Sequence, residues 1–360
     1  MSKISNSFSL AAWLLSPLLI LGLSTVLAEE QVFAEQQPLA AKSLLLDITA
    51  AGDSWVAVGE RGHILLTADG SNWKQATSVP TKATLTSVFS IQDKLWAAGH
   101  EATILSSSDG GASWELQFQD MDADPIMDIV FLNKQQGFAL GAYGQLLVTK
   151  NGGQQWDYLD LNEVTIEAEF AANDDSEDDD ENNYAAALED LGCYETLECH
   201  LNAMVVMSNQ RLMMIGERGY GFRSRDNGKQ WQAIQLPYEG SMFGALLVSD
   251  ECVLAFGLRG HAFRSCDFGS SWVEVDTGTQ SSLLGGALGR GTVQLVGASG
   301  VLVKGSRTSL KLTPETLDSG IDYSAIVLDG HKRSLLTSTE GVLVNDPQAN
   351  QATNQAGGNQ

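Results

Sequence analysis

Basic residues are scarce in this sequence. Its 360 residues include 21 Lys and Arg against 45 Asp and Glu, and the net charge is −24. This balance argues against a nucleic-acid-binding protein, because phosphate backbones are bound by Lys and Arg. Residues 157–202 hold 16 acids and no Lys or Arg, so the rest of the chain carries only −8. The acidity is therefore local.

Long apolar runs are also scarce, since Phe8–Leu23 is the single one. Lys3 precedes it, and the small-residue site Val26-Leu27-Ala28 follows it, as in a cleaved secretory signal. The run is shorter than the roughly 20 residues that a membrane span needs. We therefore predict a signal peptide over residues 1–28 rather than an uncleaved anchor. The mature chain is expected to be exported without a membrane span, to the periplasm or, in a phototroph, the thylakoid lumen.

What the sequence has in abundance is internal repetition. Trp recurs with spacings of 41, 42, 75 and 41 residues, at Trp73, Trp114, Trp156, Trp231 and Trp272. Glycines follow the same period at Gly59, Gly99, Gly141, Gly216, Gly257 and Gly297. The shared interval of 75 indicates that one repeat carries an insertion of about 34 residues, which is the acidic segment at about 160–200.

Each repeat contains short apolar runs bounded by Gly, Asn and Asp, as expected for strands buried on both faces. Four strands in about 41 residues form one blade of a β-propeller. Two weaker units, at Gly300–Val303 and Gly341–Val344, raise the number of repeats to seven. We predict an all-β, seven-bladed propeller over residues 30–346, followed by a disordered polar tail at 347–360.

The last unit lacks a fourth strand in the sequence order. Counting back 41 residues from Trp73 reaches Val32, beside Phe33. We therefore expect Val32–Gln36 to pair as the outer strand of the last blade, because closing the ring in this way removes an exposed sheet edge.

The turn before each Trp follows the pattern Ser/Thr-x-Asp-x-Gly-x-x-Trp, which is the Asp box. Ser107, Asp109, Gly111 and Trp114 match it in full. The carboxylate is expected to accept N–H groups of its own turn, and the Trp to fill the gap between sheets. We expect a structural role for all box residues, because each lies in its own blade: Asp69, Trp73, Asp109, Gly111, Trp114, Asn151, Trp156, Asp226, Trp231, Asp267 and Trp272.

An exported Asp-box propeller of this length resembles the photosystem II stability/assembly factor family and its bacterial BNR-repeat relatives. The resemblance covers roughly residues 40–346. It implies a lumenal or periplasmic assembly scaffold that binds membrane-protein partners. Relatives in non-phototrophic bacteria often accompany RND-type exporters, so the resemblance allows an envelope partner of that kind or a photosystem-like complex.

The turn between the second and third strands carries Arg in three repeats. The matching segments are Gly59-Glu60-Arg61-Gly62, Gly216-Glu217-Arg218-Gly219 and Gly257-Leu258-Arg259-Gly260. Such turns all lie on one face of a propeller, and guanidinium groups suit bidentate binding of carboxylates. Arg61, Arg218 and Arg259, with Glu60 and Glu217, are therefore candidates for partner binding. The alternative is a set of solvated turns without a binding role.

Four cysteines are present, and an even number in an exported chain permits disulfides. Cys252 begins a second strand and Cys266 ends the third, so they are expected to face each other across a hairpin. Cys193 and Cys199 are close in sequence and are expected to form the other pair. The alternative is free buried thiols.

No spacing of His, Cys and Asp suggests a metal site, and we expect no cofactor. Sialidases share the Asp box, so a sialidase-like glycoside hydrolase is the main competing hypothesis. Their Arg-Ile-Pro motif is missing, and no Arg precedes Arg61. We therefore expect no enzyme, while a carbohydrate-binding propeller stays open.

Overall fold

The computed structural model describes residues 31–161, 193, 199–317, 320–329 and 333–346. These residues form seven antiparallel sheets, each built from consecutive strands in chain order. The predicted seven-bladed propeller is therefore confirmed. The predicted signal peptide, most of the acidic insertion and the polar tail lie outside the described residues. Within the described ranges, no helix is both long and apolar enough to cross a membrane.

The strands of the first four blades have the following bounds. Blade 1 contains β1–β4: Leu45–Ala51, Ser54–Gly59, Ile64–Thr67 and Lys74–Gln75. Blade 2 contains β5–β8: Leu85–Ile91, Lys94–Gly99, Ile104–Ser107 and Glu115–Phe118. Blade 3 contains β9–β12: Ile126–Phe131, Gly137–Gly141, Leu146–Thr149 and Asp157–Tyr158. Blade 4 contains β13–β16: Leu201–Val206, Leu212–Gly216, Tyr220–Ser224 and Gln232–Gln235.

The remaining blades continue the same order. Blade 5 contains β17–β20: Met242–Leu247, Val253–Gly257, Ala262–Ser265 and Val273–Glu274. Blade 6 contains β21–β24: Leu283–Leu288, Thr292–Gly297, Val301–Ser306 and Leu312–Thr316. Blade 7 contains β25–β27: Tyr323–Leu328, Ser334–Ser338 and Gly341–Asn345. One-turn 3-10 helices occur at Ala40–Lys42, Glu60–Gly62, Ala142–Gly144, Glu217–Gly219, Leu258–Gly260 and Ala298–Gly300.

The core lies between neighbouring blades, because both faces of the second and third strands are covered. The second strand of blade 3 is buried along its whole length, as is that of blade 4. This explains why the apolar runs in the sequence are nearly continuous rather than alternating. The repeat Trp residues join these layers, and Trp114 is 4% exposed in the cluster between blades 1 and 2.

The ring closes by packing between blade 7 and blade 1. Ser324 Oγ in β25 donates to the Leu45 carbonyl at 2.7 Å. Leu335 of blade 7 packs with Leu45 and Leu65 in one buried cluster. The seam between the first and last blades therefore resembles the other seams in the ring.

The position expected for the N-terminal segment is wrong. Val32–Gln36 does not pair with β27, and the described part of blade 7 has three strands. Instead the Ala34 N–H donates to the Val79 carbonyl at 2.9 Å, and Gln36 Nε2 donates to the Ala76 carbonyl at 2.7 Å. The 41-residue period predicted where in the repeat this segment falls. It did not predict which blade the segment contacts, because that depends on its hydrogen-bond partners beside blade 1.

Both predicted cysteine pairs are disulfide-bonded. Val253 and Ser265 are opposite each other in the β18–β19 ladder, so Cys252 and Cys266 are opposed one step further on. Their Cα atoms are 4.0 Å apart. Cys193 and Cys199 form the second disulfide, with a Cα–Cα distance of 5.2 Å.

Candidate partner-binding face

The turn between the second and third strands has one conformation in five blades. Its central residue lies in the left-handed region in each case: Arg61 (φ 54°), Tyr143 (φ 52°), Arg218 (φ 53°), Arg259 (φ 55°) and Ser299 (φ 57°). Tyr and Ser adopt this conformation as well as Arg. The conformation is therefore a property of the repeat and does not depend on an arginine at this position. It nevertheless presents each central side chain at an equivalent place.

Strand direction places these turns on one side of the propeller. Adjacent strands are antiparallel, so the turn after the second strand and the turn after the third strand lie at opposite ends of a blade. We call the first side the arginine face, defined by Arg61, Arg218 and Arg259, and the second side the Asp-box face. All three arginines are exposed.

The three arginines do not form a continuous ring. Arg218 belongs to blade 4 and Arg259 to the neighbouring blade 5, whereas Arg61 of blade 1 is three blades away from each. The exposed Tyr143 of blade 3, with 55% of its surface accessible, extends the pair to a row across three blades. The face therefore has one row of three large side chains and a separate arginine across the ring.

Aromatic and histidine side chains accompany this row. The Tyr143 ring meets His200 edge-on at 4.9 Å between centroids. Tyr238, in the connection from blade 4 to blade 5, packs on His261 at 4.2 Å. These residues give the row a flat apolar component beside its positive charge, which is the composition typical of protein-binding hot spots.

Glu60 and Glu217, the two glutamates predicted with the arginines, make different contacts. The Glu217 carboxylate accepts the His200 backbone N–H at 3.0 Å and lies 3.5 Å from His200 Nδ1. It therefore fixes the connection that enters blade 4 beside Arg218. Glu60 is held through its backbone, since its N–H donates to the Leu44 carbonyl at 3.1 Å.

The histidines of these turns have structural partners. Buried His63 shares a hydrogen bond of 2.9 Å with Ser43 Oγ, and burial lowers its pKa. His261 Nδ1 is 2.8 Å from a Glu274 carboxylate oxygen. Among the residues that the structure describes, no group of three or more His, Cys, Asp and Glu is arranged to hold a metal ion.

The Asp boxes lie on the opposite face and stabilise their own turns. Ser107 Oγ donates to Asp109 Oδ1 at 2.8 Å and accepts the Gly111 N–H at 3.0 Å. The Trp114 indole N–H then donates to the Gly111 carbonyl at 2.9 Å. Asn151 takes the place of Asp in blade 3 and accepts the Gln155 N–H at 2.9 Å. These contacts engage the box oxygens within their own turns.

The first box shows the electrostatic consequence of this arrangement. Asp69 Oδ1 accepts the N–H groups of Ser71 and Asn72, each at 2.8 Å. The Asn72 backbone N–H, followed by the Asn72 side chain, holds the pKa of Asp69 well below its usual range. Asp69 is therefore a poor proton donor or acceptor near neutral pH.

The central pore carries two carboxylates that the sequence analysis missed. It has a volume of about 280 Å³ and is lined by the innermost strands of all seven blades, including Asp47 of blade 1 and Asp128 of blade 3. Asp47 accepts the Val88 N–H of blade 2 at 2.8 Å. Asp128 accepts the Met204 N–H of blade 4 at 2.9 Å. Each carboxylate therefore joins its blade to the next.

A repeat signal for these pore residues does exist in the sequence. Asp47, Ser87 and Asp128 all lie two residues after the first residue of the innermost strand. The Ser87 hydroxyl donates to Asp128 Oδ1 at 3.1 Å. Desolvation raises the pKa of Asp47 to about 7 and also raises the pKa of Asp128. A polar residue at this fixed position in consecutive repeats predicts a side chain that contacts the next blade.

These features define the chain as a seven-bladed Asp-box propeller with a structural box face and an exposed arginine face. Residues 67–165 match the model of a family described as photosynthesis system II assembly factor YCF48. A search of the curated proteins gave no match. The sequence match supports the predicted resemblance to photosystem II assembly factor-like propellers.

Solved structures support the same fold. YCF48 from Cyanidioschyzon merolae is 18% identical with a TM-score of 0.64, and the match covers 88% of this chain and 99% of that one. A structure described as YCF48 bound to D1 peptide is 16% identical with a TM-score of 0.62, covering 87% and 95%. The WD40 propeller domain of Doa1 matches equally well, at 12% identity and a TM-score of 0.62 over 87% and 94%. At these identities the structural similarity establishes the fold.

Proposed function

We propose that this protein is a non-enzymatic, exported assembly scaffold that binds a membrane or envelope protein through its arginine face. The observation that carries the proposal is the equivalent, exposed placement of Arg61, Arg218 and Arg259 on one face. Loops held by a rigid scaffold are a common location for binding residues. The Asp boxes, by contrast, are occupied by contacts within their own turns.

The chemistry of the face suits an acidic protein segment. Arg binds carboxylates in a planar, bidentate geometry, and the Arg218–Arg259 pair could bind two such groups at neighbouring blades. Tyr143 and Tyr238 add aromatic surface for the apolar part of the same segment. A similar fold is described as bound to a D1 peptide, which supports a peptide segment as the kind of ligand.

The cellular setting is part of the proposal. The signal-like residues 1–28 and the two disulfides are consistent with the periplasm or, in a phototroph, the thylakoid lumen. The partner would then be the exposed segment of an RND-type exporter or of a photosystem-like complex. We propose no catalytic role, since Asp boxes in separate blades do not converge on one substrate.

The test is partner capture with a charge-matched control. Crosslinked envelope fractions would be captured with the wild type, with an Arg61→Ala, Arg218→Ala, Arg259→Ala variant, and with a Lys74→Ala, Lys150→Ala, Lys229→Ala variant. The three lysines are exposed and lie at the Asp-box end of the blades. Both variants lose three positive charges, so the net charge of the chain changes equally.

We expect the arginine variant to lose the captured partner and the lysine variant to retain it. Equal retention by both variants would contradict a binding role for the arginines. Turnover of a sialoside by the purified protein would contradict the absence of enzymatic activity.

A further inference from the structure

The N-terminal segment, residues 32–37, lies on the Arg61 side of the arginine face. It runs along the connection from blade 1 to blade 2, where the Ala34 N–H donates to the Val79 carbonyl at 2.9 Å. Gln37 N–H donates to Gln75 Oε1 at 2.9 Å, and Gln75 Nε2 donates to the Glu35 carbonyl at 2.8 Å. The blade therefore binds this segment as it would bind a peptide, mostly through backbone groups.

A carboxylate in the segment meets the positive charges of this face. Glu35 Oε1 is 2.6 Å from Lys82 Nζ. The Lys82 hydrogen bond, with a smaller contribution from nearby Arg61, lowers the pKa of Glu35. Gly62, next to Arg61, adjoins the segment so closely that a Cβ there would lie 3.2 Å from the Ala34 Cβ. The segment thus places an acidic side chain where the proposed function requires one from a partner.

Polar surface contacts hold the segment, with little burial. Val32 and Phe33 are 54% and 46% exposed, and the Lys82–Glu35 pair is exposed on both sides. Ala34 alone among residues 32–37 is half-buried. Exposed ion pairs contribute little to stability, so another segment with the same groups could replace this one.

We infer that the seam between blades 1 and 2 is a docking groove for an extended partner segment carrying a carboxylate, and that residues 34–37 fill this groove in the free protein. The inference rests on the proposed function and adds a defined subsite to it. The partner would supply a backbone N–H to the Val79 carbonyl and a Glu or Asp side chain to Lys82 and Arg61. Its binding would release the chain's own segment.

The experiment uses a fluorescent peptide with the sequence of residues 31–38 and the full-length protein. Ala34→Pro removes the N–H that binds the Val79 carbonyl while leaving every groove residue unchanged. A tethered segment competes at an effective concentration in the millimolar range, so releasing it frees the groove. Val32→Pro is the matched control, because Val32 is exposed and precedes the segment's contacts.

We expect Ala34→Pro to bind the peptide at least tenfold more tightly than the wild type or Val32→Pro, as measured by fluorescence anisotropy. Lys82→Ala in the Ala34→Pro background, or a peptide with Gln in place of Glu35, should weaken peptide binding by up to about fivefold, the range for an exposed ion pair. Equal binding by the wild type and Ala34→Pro would overturn the inference. A wild-type dimer in light scattering that Ala34→Pro dissociates would also overturn it, since the segment would then bind a second copy. Neither result involves the partner, so partner capture by the arginine face would remain a separate test.

Discussion

Asp47 in the central pore is expected to make the protein less stable as the pH rises from about 5.5 to about 7.5. Desolvation raises its pKa from 3.8 to about 7, against the opposing effect of the Val88 and Ile48 N–H groups. The folded chain therefore retains a proton that the unfolded chain releases. Because the folded state binds more protons in this range, stability falls with rising pH.

The expected size follows from the two pKa values. A folded pKa of about 7 against an unfolded value of 3.8 lowers the free energy of unfolding by about 2 kcal/mol between pH 5.5 and 7.5. Asp47 is half-buried, and solvent screening reduces the effect for such a group, so about 2 kcal/mol is an upper bound for Asp47. Asp128 acts in the same direction, since desolvation also raises its pKa.

His63 acts in the opposite direction in the same pH range. Burial lowers its pKa, so its contribution to stability is present at higher pH and is lost as the pH falls. The assay is therefore a comparison of pH slopes between the wild type and Asp47→Asn, which share His63. Urea unfolding followed by Trp fluorescence gives the free energy at each pH.

The wild type should lose up to about 2 kcal/mol more than Asp47→Asn over this interval. The absolute stability of the variant is not the readout, because the amide cannot accept the Val88 N–H through its NH2 group. Identical pH slopes in the two proteins would refute the assignment of a raised pKa to Asp47.

Two further predictions concern the repeat framework. Replacing Cys252 and Cys266 by Ser should lower the free energy of unfolding by about 3 kcal/mol, the entropic value for a loop of this size. Peptide mapping of the non-reduced wild type should yield a peptide in which the two cysteines are linked. Free thiols at both positions would contradict the strand register. Asp109→Ala should cost about 1–2 kcal/mol because its turn N–H donors lose their acceptor. Asp109→Asn should cost clearly less, since Asn151 serves the same turn in blade 3, and equal losses in thermal unfolding would show that the acceptor oxygen is not the reason for the Asp.

The fold could be predicted in detail because the repeat itself encodes it. The Trp and Gly period, with the two weaker units at Gly300–Val303 and Gly341–Val344, gave the number of blades. The turn at Leu258–Gly260 gave the register that places Cys252 opposite Cys266. The position of Val32–Gln36 could not be predicted in this way. A sequence period predicts the position of a segment within the repeat. The blade that an edge segment contacts depends on side-chain partners such as Gln75 and Lys82.

The candidate face was predictable in part. The three arginines occupy equivalent turns, as their shared sequence context indicates. Their grouping around the ring depends on which blades carry them, and so does the addition of Tyr143 at the same turn position. His200 and Tyr238 belong to connections between blades, which have no repeat pattern, and only the folded ring brings them beside the arginines.

The most direct test of the central claim is site-specific photocrosslinking from the two faces of the propeller. A photoreactive amino acid would replace Tyr143 on the arginine face or Lys229 at the exposed Asp-box turn of blade 4. We expect an envelope or membrane protein to be crosslinked from position 143 and not from position 229, and the Arg61, Arg218 and Arg259 substitutions to abolish this product. Crosslinking from position 229 alone, or equally from both positions, would contradict this expectation.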